Sequence, residues 1–227
     1  MNDQSDRLSD PVSSGDSFAA CPPGWIGSHG AGGGRTKEDQ IVPHIIPPLS
    51  SLDHIRGDTG AVRTLIEYGD YQCPFCAAAE PVVLEILRRH PSGLAHVFRH
   101  FPLASIHPMA QPAAETAEFA AAHGAFWAMH KALMARSGSL SLSTMVGLAE
   151  LLGLSGVGLR NALSTGAYAA RVRHDLALGL HGGVRGTPTF VIKGEFYNGP
   201  VTVEALDAAI ALETDRIIVT PTIHSPT

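Results

Sequence analysis

The sequence predicts an α/β fold in which a β-α-β unit and a β-β-α unit are separated by a helical insert. Three observations support this prediction. Two β-type apolar runs flank a helical pattern, a long stretch of helical spacing follows, and two short β-type runs precede a last amphipathic helix. The chain has 227 residues, which is enough to bury the core of one large domain together with a subdomain.

The β-α-β unit begins with an apolar strand at residues 62–68. A helix starts at Pro74 and is predicted to stop near residues 90–93, where proline and glycine cannot continue it. The second strand covers residues 94–101, and its residues alternate between two faces. Because a helix connects the two strands, we expect them to be parallel.

The insert is a long helical stretch over residues 107–182. We read His107-Pro108 as a helix start, and Pro112, which interrupts an Ala-rich segment, predicts a kink or a later start. Apolar residues recur at helical spacing. Glycines are expected to end the helices of the insert, at positions 124, 153, 166 and 182–183.

The β-β-α unit follows the insert. Two short strands, residues 189–192 and 195–197, flank Lys193-Gly194, and this spacing predicts a two-residue hairpin. A last amphipathic helix near residues 203–210 closes the domain.

The two ends of the chain are predicted to lie outside the domain. Residues 1–52 contain many glycines, serines and prolines and few apolar residues, so we expect a disordered tail. Cys21 in this tail is expected to be a free, exposed thiol. The domain would then cover residues 53–213, and residues 214–227 would form a C-terminal tail.

Composition favours one compartment and excludes some partners. The first residues are acidic and Ser-rich and lack the basic start and apolar stretch of a secretory signal. Three cysteines are too few for a disulfide framework, and both observations favour a cytoplasmic location. A net charge of −5 without a basic block argues against nucleic acid or an anionic membrane as partner. No apolar run approaches the roughly 18 residues of a membrane-spanning helix.

Cys73-Pro74-Phe75-Cys76 lies where the first strand passes into the first helix, a placement typical of a redox-active dithiol. Two cysteines three residues apart on the first helical turn share a face and can close a disulfide. Cys73 would lie at the positive end of the helix dipole, which favours its thiolate. Pro74 suits the first helical position, because its missing N–H is not needed there.

Half of a zinc site and two inert buried thiols are the alternatives. A four-cysteine site needs a second pair, and the only other cysteine is Cys21. A mixed site with histidine stays open, although none of the twelve histidines shows paired spacing beside a cysteine. His96 and His100 share a strand face, and His123 and His130 are seven apart. Without acidic residues at ligand spacing, we interpret them as surface or core residues and expect no metal site.

Three further features resemble a known family. Residues 186–190, Gly-Thr-Pro-Thr-Phe, lead into the third strand; Glu67 precedes Cys73 by six positions; and Pro188 follows Cys76 by 112 positions, which leaves room for the insert. The pattern resembles the DsbA-like branch of the thioredoxin-fold thiol–disulfide oxidoreductases, with a helical domain inserted between the two halves of the fold. Local sequence matches this branch at residues 67–76, 98–103 and 106–108.

The resemblance implies roles for the two cysteines and for Glu67. Cys73 would face solvent and act as the nucleophile, and Cys76 would resolve the mixed disulfide. Glu67 would sit beneath the pair and accept the proton of Cys76; the alternative is a surface carboxylate on a strand. The best-known oxidising member has histidine at the position of Phe75, so we expect this chain to be a weaker oxidant.

The resemblance also implies a substrate site formed by Pro74, Phe75, Thr187 and Pro188. If Pro188 is cis, the Thr187 backbone is free to pair with an extended substrate segment; the alternative is a trans turn proline. The expected partners are protein or small-molecule thiols and disulfides together with an unknown redox partner. No cofactor is expected.

Three functions are compatible with these features. A thiol–disulfide oxidoreductase is favoured. A non-catalytic thioredoxin-like module, which senses oxidation or binds metal, is the second hypothesis. The third is a glutathione-linked isomerase or transferase of the same fold, although an intact Cys-x-x-Cys disfavours it. The direction of electron flow depends on the redox partner and the compartment.

Overall fold

The computed structural model describes residues 48–211. Within this range the chain forms five strands, seven α-helices and one short 3₁₀ helix. In chain order these are β1 His54–Gly57, β2 Arg63–Gly69, α1 Pro74–Arg89, β3 Leu94–His100, α2 Ala110–Ala121, α3 Phe126–Met134, the 3₁₀ helix Ser137–Ser139, α4 Leu142–Leu151, α5 Gly156–Thr165, α6 Ala169–Gly182, β4 Thr189–Ile192, β5 Glu195–Tyr197 and α7 Val203–Ala211.

The strands form one mixed sheet in the order β1-β3-β2-β4-β5. As predicted, β2 and β3 are parallel, and β4 and β5 form an antiparallel hairpin through Lys193-Gly194. Strand β1 was not predicted. It has only four residues, two of them polar, so it carries no clear alternation and depends on its antiparallel pairing with β3.

The register of the sheet divides its side chains between two faces. Leu65 of β2 pairs with His96 of β3 and with Ile192 of β4, so these three side chains share one face. Helices α1 and α7 cover this face with a core that includes Val83, Ile86, Leu206 and Ile210. The opposite face carries Tyr68, Val97 and Phe101, and it packs against Leu176 of α6.

The helical insert forms a third core that reaches the sheet. Met129, Leu133 and Met145 of α3 and α4 are buried together with Phe98 of β3 and with Cys76 of α1. Four of the predicted helix-ending glycines have positive φ, at positions 124, 153, 166 and 183, whereas Gly182 is the last residue of α6. Because Cys76 belongs to the same core, the core of the insert is continuous with the start of α1.

The start of the first insert helix differs from the prediction. Helix α2 begins at Ala110 with Met109 as its N-cap, so reading His107-Pro108 as a helix start was wrong. Pro112 is the third residue of α2, where no intrahelical donor is required, and the later start that it predicted is confirmed. His107 is instead held by a carboxylate next to the cysteines, as described below.

Residues at the beginning of the described range already contact the domain. The carbonyl groups of Pro48 and Leu52 accept hydrogen bonds from Arg99 and Arg171. Residues 1–47 and 212–227 lie outside the described residues. The predictions for Cys21 and for the two tails therefore stay predictions, as does the domain boundary at residue 53.

Candidate active site

The two cysteines lie at the start of α1, as predicted. Cys73 is the N-cap, Pro74 begins the helix and Cys76 is in its first turn. Both thiols are free and buried, with 2% of Cys73 and 0% of Cys76 exposed. The expectation that Cys73 faces solvent was therefore wrong, because Cys73 packs in the same cluster as Tyr71 and Phe98.

The surroundings of the two thiols move their pKa values in opposite directions. Hydrogen bonds lower the pKa of Cys73 to about 6, although burial opposes this shift. The largest contribution comes from the Cys76 side chain, and Thr187 and the backbone of Cys76 and Phe75 add to it. Burial raises the pKa of Cys76 well above its usual value, and the hydrogen bond to Cys73 and the negative charges of Cys73 and Glu67 add to this shift. At neutral pH the pair therefore holds one thiolate, on Cys73, and one thiol, on Cys76.

The loop before β4 lies against Cys73. The Thr187–Pro188 peptide bond is cis, as the resemblance implied. Cys73 Sγ, as a thiol, donates to the carbonyl oxygen of Thr187 at 3.4 Å. The buried hydroxyl of Thr187 has no hydrogen-bond partner among the described residues. Pro188 is buried, Pro74 is exposed and Phe75 is half-buried, so the four predicted substrate contacts are not equally accessible.

Glu67 is buried on the α1 face of β2, with 1% of the residue exposed. This position excludes the surface carboxylate that was the alternative. Burial raises the pKa of Glu67 to about 7, against the lowering effect of His130 and Arg56. One carboxylate oxygen, Oε2, lies 3.0 Å from His96 Nε2, and the other, Oε1, has no hydrogen-bond partner among the described residues. Glu67 can therefore carry or release a proton near neutral pH.

A chain of hydrogen-bonded polar side chains, which was not predicted, continues from Glu67. Arg56 donates from Nε to His96 Nδ1 at 3.0 Å, and its two terminal nitrogens bind both oxygens of Glu80 at 2.8 and 2.6 Å. Glu80 Oε2 lies 3.2 Å from His130 Nε2, and His130 Nδ1 lies 3.1 Å from the hydroxyl of Tyr71. The histidines do have acidic partners, but these partners come from other elements of the fold.

A second buried cluster contains His54, His100 and Glu118. Both imidazoles approach the same oxygen, with His54 Nε2 at 2.7 Å and His100 Nε2 at 2.8 Å from Glu118 Oε1. This is the one group in residues 48–211 whose side chains have the spacing of metal ligands. However, Arg171 Nε lies 3.7 Å from the same oxygen, and within residues 48–211 His100 Nδ1 has no hydrogen-bond partner to orient the ring. We therefore interpret the cluster as a buried carboxylate with cationic and imidazole donors.

Asp70 fixes the segment that precedes the cysteines, and no role for it was predicted. Its buried carboxylate accepts from the N–H of Gln72 at 2.7 Å and from the N–H of Leu103 at 2.9 Å, and it lies 2.8 Å from His107 Nδ1. The backbone N–H of Asp70 points to Cys76 Sγ at 3.4 Å. Asp70 therefore joins the loop after β3 to the redox pair.

The sheet is thioredoxin-like and carries a helical insert, and two thiols of unequal acidity lie at the start of α1. These features define a dithiol protein of the thioredoxin fold. The sequence profile of the family described as Thioredoxin matches residues 50–211. The chain belongs to this family, and the predicted resemblance to its DsbA-like branch is confirmed.

Solved structures support the same fold. A thioredoxin-like oxidoreductase from Silicibacter pomeroyi has a TM-score of 0.62 and 25% identity, over 72% of this chain and 92% of that one. BdbD from Bacillus subtilis has a TM-score of 0.65 and 17% identity, over 74% and 96% of the two chains. A periplasmic thioredoxin-like protein from Salmonella enterica serovar Typhimurium has a TM-score of 0.61 and 22% identity, over 78% and 98%.

The chain also matches part of longer curated proteins that are named Na(+)/H(+) antiporters. The chain is 41% identical over 170 residues to the Na(+)/H(+) antiporter NhaA 1 of Salinispora arenicola, which is 75% of this chain and 26% of that protein. It is 37% identical over 160 residues to NhaA 1 of Mycobacterium sp. strain KMS, over 70% and 26%. The chain thus spans about a quarter of the length of these relatives. Among residues 48–211, no helix has the length and apolar character needed to cross a membrane.

The prediction of a cytoplasmic location was wrong. The folded domain resembles DsbA-like proteins, including one described as periplasmic. The prediction depended on the first residues, which lie outside the described range, and on the number of cysteines. A redox pair needs only two cysteines, so a low cysteine count does not indicate a reducing compartment.

Proposed function

We propose that this chain is a DsbA-like thiol–disulfide oxidoreductase that uses Cys73 as nucleophile and Cys76 as resolving thiol. The observation that supports this most is the opposite displacement of the two thiol pKa values, to about 6 for Cys73 and well above the ordinary value for Cys76. The thiolate is the reactive form. One cysteine is therefore prepared to attack, and the other stays protonated until it is needed.

In the first step the Cys73 thiolate attacks one sulfur of a substrate disulfide. A bond forms between Cys73 and that sulfur, the substrate S–S bond breaks, and the other substrate sulfur leaves as a thiolate. The N-terminal end of α1 and the hydrogen bonds to Cys73 stabilise the attacking anion.

In the second step Cys76 loses its proton and attacks Cys73 within the mixed disulfide. The Cys73–Cys76 bond forms, the bond to the substrate breaks, and the second substrate sulfur leaves as a thiolate. The protein is oxidised and the substrate disulfide is reduced to two thiols. The same steps in reverse oxidise a substrate dithiol, and the redox partner decides the direction.

The surface around Cys73 suits an extended, apolar substrate segment. Pro74 is exposed and Phe75 is half-buried beside the thiol, and the Thr187 carbonyl lies 3.4 Å from Cys73 Sγ. A substrate strand bound along residues 186–188 would place its disulfide next to Cys73, in the manner of strand addition. Protein or small-molecule disulfides fit this description.

Trapping of mixed disulfides tests the assignment of roles. Cys73→Ser should abolish exchange, because the remaining thiol, Cys76, stays protonated at neutral pH. Cys76→Ala should keep the attack but lose resolution, so adducts accumulate at Cys73. Non-reducing gels and mass spectrometry of both variants after incubation with a disulfide-containing protein measure this difference. Adducts mainly at Cys76, or equal trapping by both variants, would falsify the proposal. Stoichiometric zinc in the purified protein would favour the metal-binding alternative instead.

A further inference from the structure

The protonation state of His96 is determined by its neighbour Arg56. An arginine side chain is always protonated in proteins, and Arg56 Nε donates to His96 Nδ1 at 3.0 Å. Nδ1 must therefore be the acceptor nitrogen, and the ring proton of the neutral imidazole must be on Nε2. His96 Nε2–H then donates to Glu67 Oε2 at 3.0 Å.

The sheet register holds these groups in line. Arg56 of β1 lies directly opposite His96 of β3. Glu67 of β2 pairs with Phe98, two residues after His96, so it shares their face. Burial lowers the pKa of His96 well below its usual value, and the positive charge of Arg56 adds to this. His96 is therefore a neutral donor to Glu67 across the working pH range.

Arg56 itself cannot move to form an ion pair with Glu67. Its guanidinium is bound at two points by Glu80, and it stacks 4.5 Å from the ring of Trp127. Although burial opposes it, hydrogen bonds from Arg56 and His130 lower the pKa of Glu80 to about 2. Glu80 therefore stays ionised, and its ion pair with Arg56 is maintained. Glu67 thus has a neutral imidazole, rather than a cation, as its hydrogen-bond partner.

The two oxygens of Glu67 are consequently different. Oε2 is occupied by His96, whereas the buried Oε1 has no partner among the described residues. Oε1 lies 3.4 Å from the position that a Cβ would take on Gly69, and the charge of Glu67 contributes to the raised pKa of Cys76. The free oxygen therefore lies toward Gly69, the residue before Asp70, whose backbone N–H points to Cys76 Sγ.

We propose that His96, oriented by Arg56 and Glu80, is a positioning residue that holds Glu67 by Oε2 and makes Oε1 the atom that receives the proton of Cys76. The inference rests on the proposed function. In the resolving step the S–H bond of Cys76 breaks and an O–H bond forms at Oε1. The new thiolate attacks Cys73 and releases the substrate thiolate, and Glu67 returns its proton to water before the next cycle.

Five groups determine the titration of Glu67. His96 donates to it from β3, Arg56 on β1 and His130 on α3 favour its anion, and Glu80 and Cys76 on α1 oppose it. Loss of the His96 donor removes a hydrogen bond that is stronger to the carboxylate than to the protonated carboxyl group. The pKa of Glu67 should then rise, and the carboxylate should form only at higher pH.

Substitution of His96 by glutamine and by phenylalanine provides a matched test. A glutamine can accept from Arg56 with its oxygen and donate to Glu67 with its nitrogen, as the neutral imidazole does. A phenylalanine fills the space but does neither. The probe is 5,5′-dithiobis(2-nitrobenzoic acid), because attack by Cys73 and resolution by Cys76 each release one coloured thionitrobenzoate. The two phases are followed from about pH 5 to about pH 10.

The expected result concerns the second phase alone. In His96→Phe its midpoint should move upward by about one pH unit or more, with the rate restored at high pH and the first phase unchanged. His96→Gln should keep the wild-type midpoint. An unchanged midpoint in His96→Phe, or a rate reduced by one constant factor at every pH, would overturn the inference. Release of a single thionitrobenzoate by the wild-type protein would contradict the proposed function itself.

A measurement on the wild-type protein does not depend on whether the variants fold. Nitrogen-15 NMR of the histidine rings should find His96 neutral and protonated at Nε2 from about pH 5 to about pH 9. A proton on Nδ1, or a doubly protonated ring in this range, would overturn the inference.

Discussion

At the scale of single residues, the same side chain behaves differently at two positions three residues apart. Cys73 at the N-cap receives hydrogen bonds that favour its anion, whereas Cys76 one turn later is surrounded by apolar groups and by the charge of Glu67. Desolvation penalises the charged form, and hydrogen bonds to the anion favour it. The order of the two chemical steps follows from which effect dominates at each thiol.

Glu67 provides a prediction about stability at this scale. Its pKa is raised from 4.5 to about 7 in the folded protein, so the folded state binds this proton more tightly than the unfolded state does. The stability that the protonated form provides is present at low pH and is lost as the pH rises through about 7. Glu67→Gln should therefore become more stable than the wild type, by an amount that grows by roughly 2–3 kcal/mol between about pH 5 and about pH 9.

Urea unfolding of the reduced wild-type and Glu67→Gln proteins at the two pH values measures this difference. Glutamine can still accept from His96, so the packing should be retained. A stability difference that does not depend on pH would contradict a buried carboxylate with a raised pKa.

At the scale of elements, close contacts between helices and the sheet determine where the site is built. Helix α6 approaches the sheet at Gly179, where an added Cβ would lie 2.7 Å from Phe101 and 3.0 Å from Tyr68. Both aromatic rings are buried, so neither can move away at low cost. The approach of α6 also lets Asp175 accept from the backbone N–H of His100 at 3.1 Å, next to the Glu118 cluster.

Two glycines in helices should therefore respond to alanine in opposite ways. Gly179→Ala should lower the free energy of unfolding by about 1–3 kcal/mol through overpacking. In α4, a Cβ added to Gly147 would meet no described atom within 4 Å beyond its chain neighbours and the backbone of its own helix. Gly147→Ala should therefore raise the free energy of unfolding by about 0.5–1 kcal/mol through helix propensity. Denaturant unfolding of both variants provides the measurement, and equal effects of the same sign would exclude the packing argument.

At the scale of the whole molecule, the segment before β1 is anchored to the far face of the sheet. Arg99 is buried, and its Nε and one terminal nitrogen bind the two oxygens of Asp53 at 2.7 and 2.9 Å. The carbonyl of Pro48 accepts from the same guanidinium at 3.1 Å, and Leu52 is tied to Arg171 of α6. This anchor holds β1 at the edge of the sheet, where it supplies His54 and Arg56 to the two buried clusters.

Asp53→Asn should destabilise the protein by about 3 kcal/mol, because it leaves the buried charge of Arg99 without its counter-ion. Although burial opposes it, the hydrogen bonds from Arg99 and Ser50 lower the pKa of Asp53. Its contribution is therefore present above the unfolded pKa and lost as the pH falls. Asp58→Asn is the control, since Asp58 is half-buried and accepts backbone N–H groups rather than a hydrogen bond from a charged side chain. Thermal unfolding at neutral pH should show a much larger effect for Asp53, and similar effects would contradict the anchoring role.

Local sequence was enough to predict the order of the elements from β2 onward, the parallel pair, the hairpin at Lys193-Gly194 and the position of the redox pair. These features are local, because turn residues, periodicity and a Cys-x-x-Cys at a helix start are each set within a few neighbouring residues. A resemblance to a known family extended this to Glu67 and to the cis Thr187–Pro188 bond. It did not extend to the burial of Cys73, because the packing of the insert decides that.

The tertiary structure alone decided the partners of the buried charges. Arg56 and Glu80 are 24 positions apart, Glu67 and His96 are 29 apart, and Tyr71 and His130 are 59 apart. No short pattern connects them, and the four-residue strand that carries Arg56 is defined only by its pairing with β3. A buried charge is stable only when its partners are present, and in this protein the sheet register and the helical insert bring those partners together.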